Sequence, residues 1–341
     1  MSIFVTRSSM PSLEEYIEEI KPIFESHLLT NMGPIYKRLQ HQLIEYLGDY
    51  NSLYAPLGPL PEGAVSGADW GSVPSTETHP LRPGFAGPPP PVGEARKGNV
   101  MSNVLITGGS RGIGFAAVKE FLKAGAKVCF LSHYEETGKA ALAKLAEINP
   151  DYPVIWRCID LCSEEQAKAL FDEVEALWGR VDVLINNAGI SNNDALVHHT
   201  MDNWKAVVDV NQTAVYNMSR YAMSALKKTE GCIINTSSVT GVHSSPSGIA
   251  YPATKAAVIS MTKYFAYALA PVGIRCNCIA PGVILTDMCA GIDPEILDSM
   301  AQDSPIGRNG TPMDVAKAFA YLADAEFITG HVLNVDGGYV L

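Results

Sequence analysis

From residue 103 onward, short apolar runs alternate with longer stretches in which apolar residues recur every three or four positions. The short runs are rich in Val, Ile and Leu and contain few polar positions, which is typical of parallel strands buried on both faces. We predict seven strands in this region: Asn103–Thr107, Lys127–Leu131, Val154–Cys158, Val181–Asn186, Cys232–Ser237, Ile274–Ile279 and His331–Val335. Strands that alternate with helices at this spacing predict an α/β fold with a doubly wound parallel sheet.

The segment 1–50 carries two helical patterns instead. Ser12 and Glu15 form a capping-box signature before one apolar stripe, and Pro34 and Gly48 flank a second. Two helices of this size cannot build a stable core alone, so they need a partner surface. The stretch from 4 to 48 resembles the N-terminus of the pyridoxal-phosphate-dependent nucleotide-sugar aminotransferases. The family's catalytic body and Schiff-base lysine have no counterpart here, so the resemblance implies a truncated remnant without transaminase activity.

Between these two regions lies a segment, 51–100, that is rich in proline and glycine and lacks apolar periodicity. Ten of the 22 prolines of the chain fall between Pro56 and Pro91. Such a composition predicts a disordered, semi-extended linker, partly in polyproline II conformation. A ligand for a proline-binding module is the alternative. The predicted organisation is therefore 1–50 helical, 51–100 linker and 101–341 catalytic domain.

Composition and charge restrict the class of protein. The chain is 47% hydrophobic and 18% charged, which is enough apolar material for a large core. A net charge of −11 argues against a nucleic-acid partner and against a basic membrane-binding surface. No run approaches the about 18 apolar residues of a membrane span, and the first residues lack the apolar region of a secretory signal. Seven cysteines indicate free thiols in a reducing compartment. We expect a cytoplasmic protein.

A glycine-rich turn follows the first predicted strand and precedes a helix. Backbone N–H groups of such a turn can approach a pyrophosphate at the helix N-terminus. The spacing Thr-Gly-x-x-x-Gly-x-Gly differs from the commoner dinucleotide fingerprint, and alone it is equally compatible with a tight turn that binds nothing. The candidate cofactor-binding residues of the turn are Thr107, Gly108, Ser110, Arg111, Gly112, Ile113 and Gly114.

Further polar motifs follow the later strands in a fixed order. Asp160 comes after the third strand, Ser238 ends the fifth, and Tyr251 and Lys255 form Tyr-x-x-x-Lys on one helix face. Asn211 lies in a helical stretch between the fourth and fifth strands. Each motif alone is common, but this ordered set is hard to explain by chance.

With these motifs, residues 101–341 resemble the short-chain dehydrogenase/reductases over essentially their whole length. Ser238 precedes Tyr251 by 13 residues, which is the usual spacing in that family. The tail ITGHVLNVDGGYVL is especially similar to the 3-oxoacyl-thioester reductase branch. The resemblance implies a Rossmann fold with a seven-stranded parallel sheet and a homotetramer. It also implies further cofactor contacts at Asp160, Leu161, Asn187, Ala188, Gly189, Tyr251, Lys255, Pro281, Gly282, Val283, Ile284 and Thr286.

The catalytic residues implied by the resemblance are Asn211, Ser238, Tyr251 and Lys255. Nicotinamide supplies a hydride, and Tyr251 donates the proton to the substrate oxygen. A phenol has an ordinary pKa of about 10, which the positive charge of Lys255 is expected to lower. Ser238 would hydrogen-bond the substrate oxygen, and Asn211 would hold a water that links Lys255 to solvent.

Cofactor choice follows from the charges around the adenosine ribose. Ser132 occupies the place where NAD enzymes carry an acid that repels a 2′-phosphate. Arg111 is placed to meet a phosphate, and Ser110, Ser132 and His133 can add donors. NADP(H) is therefore favoured, although Glu135–Glu136 keep NAD(H) possible, and an ion pair is the alternative role for Arg111.

The predicted function is NADPH-dependent reduction of a ketone, either a 3-oxoacyl thioester or another small carbonyl compound, to a secondary alcohol. Acyl carrier protein is a doubtful partner, because Thr229 and Val272 stand where the carrier-dependent relatives use arginines. The alternatives are a non-catalytic dinucleotide-binding sensor or scaffold, and a fusion whose segment 1–50 docks onto an aminotransferase.

A substrate lid is predicted over 283–308. Its apolar residues, among them Met288 and Ile296, either face the substrate or pack the lid helix, and we expect packing. His198 and His199 are too few for a metal site, so no metal is expected. The pairs Cys158 with Cys162 and Cys276 with Cys278 are interpreted as buried thiols.

Overall fold

A computed structural model of the chain describes residues 102–191, 196–243 and 248–340. The predicted helices in 1–50 and the predicted linker at 51–100 lie outside the described residues.

The seven predicted strands are confirmed, and they form one parallel sheet in the order β3-β2-β1-β4-β5-β6-β7. Most ends agree with the prediction to within one residue, and two differ by two residues. β4 begins at Val183, because Val181 donates its N–H to Ala225 at the end of a helix instead of to a strand. Pro281 is the last residue of β6, whereas we expected it to follow that strand. The strands are β1 Asn103–Ile106, β2 Lys127–Ser132, β3 Val154–Cys158, β4 Val183–Asn186, β5 Cys232–Thr236, β6 Arg275–Pro281 and β7 Val332–Val335.

Helices flank the sheet on both faces. They are α1 Gly112–Lys123, α2 Glu135–Ile148, α3 Glu164–Trp178, α4 Met201–Val208, α5 Ala214–Lys227, α6 Ala250–Leu269, α7 Pro294–Gln302 and α8 Pro312–Asp324. Several begin at capping side chains: Ser163 accepts a backbone N–H at the start of α3, and Thr311 and Asp314 form a complete capping box on α8. A π-helical turn, Asp209–Thr213, joins α4 to α5.

The core has two main layers, one on each face of the sheet. Val104 and Ile106 point into the layer covered by α1, α2 and α8, while the intervening Leu105 points into the layer covered by α3, α5 and α6. All three residues are fully buried. The strand order reverses between β1 and β4, so the carboxyl ends of these strands border the crevice in which doubly wound sheets bind ligands.

All seven cysteines are thiols. Cys276 and Cys278 are buried in β6, as predicted, but Cys158 and Cys162 are exposed, so the prediction of buried thiols is wrong for that pair. Cys158 ends edge strand β3, which no further strand covers, and Cys162 lies in the turn between β3 and α3. Within the described residues, none of the helices combines the length and hydropathy needed to cross a membrane.

Candidate active site

The glycine turn is shaped to admit an anion. Gly112 has φ +55°, a conformation that residues with a Cβ rarely adopt, and a Cβ on Gly114 would lie 2.1 Å from the carbonyl oxygen of Gly108. α1 begins directly after Arg111, whose side chain makes no capping bond, and its first turn contains no acid. The first N–H groups of a helix have no intrahelical acceptor. The turn and the helix N-terminus therefore fit the pyrophosphate of a dinucleotide.

Thr107, predicted as a cofactor contact, instead joins the glycine turn to the end of β4. Its Oγ1 accepts hydrogen bonds from the backbone N–H groups of Asn187 at 2.9 Å and Ala188 at 3.0 Å. Asn187 Nδ2 donates in return to the Thr107 carbonyl oxygen at 3.2 Å. Three predicted residues are thus brought together, and the Thr107 hydroxyl fixes the backbone between them.

Asn211 lies fully buried in the π turn. Its Oδ1 accepts from the N–H of Ile190 at 2.8 Å, and its Nδ2 donates to the carbonyl oxygen of Ile190 at 2.9 Å and to Thr254 Oγ1 at 3.3 Å. A Cβ on Gly189 would lie 3.3 Å from both Asn211 Oδ1 and Lys255 Nζ. The side chains of Asn211 and Lys255 therefore both lie next to the backbone of Gly189.

Thr240 donates both of the hydrogen bonds that the Ser238 hydroxyl oxygen accepts. Ser238 Oγ accepts from the backbone N–H of Thr240 at 3.2 Å and from Thr240 Oγ1 at 3.1 Å. A hydroxyl group has two acceptor sites and one proton. Because Thr240 fills both acceptor sites, the Ser238 proton remains available for the neighbouring Tyr251 side chain or for a substrate oxygen.

Tyr251 and Lys255 project from the first turns of α6, as the sequence predicts. Lys255 Nζ lies 5.4 Å from the centre of the Tyr251 ring and donates to the carbonyl oxygen of Thr236 at 2.8 Å. Burial lowers the pKa of Lys255 to about 8. We expected a lowered pKa for Tyr251 as well, but burial raises it, and the hydrogen bond with Ser238 opposes this only in part. In the chain alone, Tyr251 is therefore a protonated donor at neutral pH.

The adenosine end of the crevice differs from the prediction at Ser132. Its hydroxyl donates to the carbonyl oxygen of Tyr134 at 2.9 Å and accepts from Trp156 Nε1 at 2.8 Å, so its proton is already used. His133 is exposed and packs edge-on against the Tyr134 ring, with 4.8 Å between ring centres. Exposed Arg111 lies 3.8 Å from Asp287 in a weak surface ion pair, which was the alternative role considered for it.

Just after β3, one carboxylate oxygen of Asp160 accepts the N–H of Cys162 at 2.9 Å. Leu161 packs against the core layer on the α3 side. Both therefore lie at the carboxyl edge of the sheet, beside the end of β2.

The lid begins close to the glycine turn. Thr286 Cγ2 lies 3.3 Å from the position of a Cβ on Gly112, and a Cβ on Gly282 would lie 2.9 Å from the Asp336 Cα. Val283 accepts the N–H of Gly310 at 2.8 Å, whereas the Ile284 side chain is buried in the core, so only the Ile284 backbone can meet a cofactor. α7 has no fully buried residue: Met288 and Ile296 are exposed, so the expectation of packing is wrong for these two, whereas Ile292, Leu297 and Met300 are half-buried.

Among the described residues, no group of three or more His, Cys, Asp or Glu side chains is arranged for a metal ion. His199 instead packs edge-on against Trp204, with 6.4 Å between ring centres.

Many known proteins are similar to this chain. A family model described as enoyl-(acyl carrier protein) reductase matches residues 108–340. A 3alpha-hydroxysteroid dehydrogenase of Mediterraneibacter gnavus is 40% identical over 236 residues, covering 68% of this chain and 94% of the relative. The 3-oxoacyl-(acyl-carrier-protein) reductase FabG of Chlamydia muridarum is 37% identical over 237 residues, covering 69% of this chain and 95% of the relative.

The chain belongs to the short-chain dehydrogenase/reductases. A solved structure described as ElxO with NADP bound covers 70% of this chain and 98% of its own length, with 38% identity and a TM-score of 0.65. As a short-chain dehydrogenase/reductase, the protein is an oxidoreductase that acts on an alcohol or carbonyl group.

Sequence reasoning missed three residues that shape the site of this short-chain dehydrogenase/reductase. Thr240 donates to the Ser238 hydroxyl and Thr254 accepts from Asn211. Trp156 donates to the Ser132 hydroxyl. Thr240 and Thr254 lie within four residues of catalytic positions, which is a signal that could have drawn attention to them. Nothing in the sequence connects Trp156 with Ser132, because they meet only through the pairing of β2 with β3.

Proposed function

We propose that the protein is an NADP(H)-dependent reductase that converts a ketone to a secondary alcohol. The observation that carries this proposal is the arrangement of Ser238, Tyr251 and Lys255 beside a glycine turn that fits a pyrophosphate. A protonated phenol next to a hydroxyl with a free proton suits a carbonyl oxygen that gains negative charge.

The reduction adds a hydride to the carbonyl carbon and a proton to its oxygen. When bound, the nicotinamide supplies the hydride. Ser238 donates a hydrogen bond to the carbonyl oxygen as charge develops there. Tyr251 transfers its phenolic proton to the same oxygen, Lys255 stabilises the resulting phenolate, and Asn211 holds the path along which a proton returns from solvent.

The preference for NADP(H) rests on charge at the adenosine end. Arg111 is exposed at the start of α1, and Ser132 replaces the acid that would repel a 2′-phosphate. Because the Ser132 proton is committed to Tyr134, Arg111 and His133 are the donors that we assign to the phosphate. The NADP-bound structural relative supports this assignment.

We infer that the substrate is a free apolar ketone instead of a carrier-bound thioester. The loops after β4, β5 and β6 expose large apolar side chains around the catalytic residues, namely Ile190, Leu196, Val197, Val242, Ile249, Leu285 and Met288. The same loops, 187–200, 237–249 and 282–293, contain no Lys or Arg to bind the phosphates of a carrier. The 3alpha-hydroxysteroid dehydrogenase relative supports an apolar substrate, while the FabG relatives represent the alternative.

The surroundings of Thr229, where the carrier-dependent relatives use an arginine, support the same inference. Thr229 donates its hydroxyl proton within the fold, to the carbonyl oxygen of Val181 at 2.7 Å, and neighbouring Lys228 is paired with Glu175. Neither presents an unpaired cation to an acidic carrier protein.

The test follows oxidation of NADPH and NADH by absorbance with a carbonyl panel and the full chain. The panel pairs a 3-oxoacyl thioester with unconjugated diketones and ketosteroids, and Tyr251→Phe is the control. We expect Tyr251-dependent turnover that prefers NADPH and an apolar ketone. Turnover of the thioester alone would overturn the inferred substrate class. Binding of NADPH without turnover of any carbonyl compound would favour a dinucleotide sensor.

We further propose that 101–341 folds as a catalytic domain on its own and assembles as a homotetramer in the cytoplasm. Light scattering on a form that starts at Met101 tests this proposal. A monomeric form, or one that does not fold, would contradict it.

A further inference from the structure

Thr254 occupies a central place between the catalytic side chains. It lies on α6 between Tyr251 and Lys255, and it is 1% exposed. Its hydroxyl donates to the backbone carbonyl oxygen of Tyr251 at 2.8 Å and accepts from Asn211 Nδ2 at 3.3 Å. One buried hydroxyl therefore connects the π turn to the catalytic helix.

We propose that Thr254 is a positioning residue that holds Asn211 at its working distance from Lys255. The proposal rests on the proposed function, because it assigns Asn211 to the proton path that serves Lys255 and Tyr251. Thr254 itself touches neither substrate nor cofactor in this assignment.

The hydrogen bonds of Asn211 show why Thr254 is needed. The side-chain amide has two N–H groups and one carbonyl oxygen. Ile190 takes the oxygen and one N–H, which fixes the amide to the loop after β4. The second N–H goes to Thr254, which fixes the amide to α6 and so to Lys255. Without this contact, the π turn and the catalytic helix would be held together here by packing alone.

Thr254→Val removes the hydroxyl at nearly constant volume and leaves a fully buried amide N–H without an acceptor. The amide must then rotate or the π turn must move away from α6, and either change alters the distance from Asn211 to Lys255. We expect kcat for ketone reduction to fall about tenfold. Both KM values should stay within about twofold, because Thr254 lies behind the binding surfaces. In the alcohol-oxidation direction, the apparent pKa of the rate should rise by roughly half a unit, since the phenolate loses support.

Thr262 provides a matched control on the same helix. It is fully buried, donates its hydroxyl proton to the carbonyl oxygen of Val258 at 2.8 Å, and accepts from Asn235 Nδ2 at 2.9 Å. Thr262→Val therefore removes the same kind of hydroxyl bridge between an asparagine and α6, away from the catalytic residues. We expect a similar loss of thermal stability in both valine variants and an unchanged pH profile for Thr262→Val.

Two more variants complete the test in the full chain. Thr254→Ser keeps the hydroxyl and should restore kcat and the pH profile. If Thr254→Val fails to fold, Thr254→Ala removes the same hydroxyl without adding a methyl group in its place, and it should still show the lower kcat and the shifted pH profile. Equal effects of Thr254→Val and Thr262→Val on kcat, with no shift in pH profile, would overturn the proposal. A wild-type chain without Tyr251-dependent turnover would overturn the proposed function together with it, so the two failures are distinguishable.

Discussion

Ser238 has one proton to donate, and its surroundings decide where that proton goes. Thr240 donates to it twice, from the backbone and from the hydroxyl, so the Ser238 proton faces Tyr251 and the substrate position. The residue types of the proposed catalytic set could be predicted from the sequence because the proposed chemistry requires them. The roles of Thr107 and Ser132 could not, because Asn187 lies 80 residues from Thr107 along the chain and Trp156 lies 24 residues from Ser132.

At the residue scale, we predict that Thr240→Val lowers kcat for ketone reduction about fivefold, the effect of losing one hydrogen bond. The backbone N–H of Thr240 still donates to Ser238, so KM for the ketone should be nearly unchanged. Steady-state kinetics measures both constants, and Thr240→Ser is the control that should retain the wild-type kcat. An unchanged kcat in the valine variant would show that Ser238 needs no orientation by Thr240.

Among the elements, the glycine turn with α1 and the π turn differ in how well sequence predicts them. The turn was predictable because glycine marks positive φ and close approach, as at Gly112 and Gly114. The π turn at Asp209–Thr213 was not, because it lies within a continuous helical stretch between α4 and α5 and no residue type marks it. The exposed face of α7 was also missed, since periodicity does not show whether a face is covered.

We predict that Gly114→Ala weakens NADPH binding about tenfold or more. The added Cβ would lie 2.1 Å from the Gly108 oxygen and 2.7 Å from Asn187 Nδ2, so the backbone of the turn must shift. Fluorescence titration measures the Kd of NADPH. Gly291→Ala is the control for binding, because its Cβ would meet no atom within 4 Å. Wild-type affinity in Gly114→Ala would contradict the assignment of the turn to the pyrophosphate.

For the molecule as a whole, the sheet order explains why residues distant in sequence form one site. β1, β4, β5 and β6 are neighbours, so the loops at their carboxyl ends gather the glycine turn, Asn187, Ser238 and the lid along one edge. Sequence periodicity predicts the strands but not their order, which follows from long-range pairing. The alternation of strands and helices predicted a doubly wound parallel sheet, and the resemblance to a known family implied its seven-stranded Rossmann form.

The most direct test of the account is the pH dependence of kcat/KM for NADPH in ketone reduction, measured for the wild-type chain and Tyr251→Phe. The pKa of Tyr251 is raised and that of Lys255 is about 8, so both groups are protonated at neutral pH. We predict a plateau through neutral pH, a decline above about pH 8 as Lys255 loses its proton, and a loss of about a hundredfold or more in Tyr251→Phe. A Tyr251→Phe variant that keeps the wild-type rate and profile would contradict the claim that Tyr251 donates the proton.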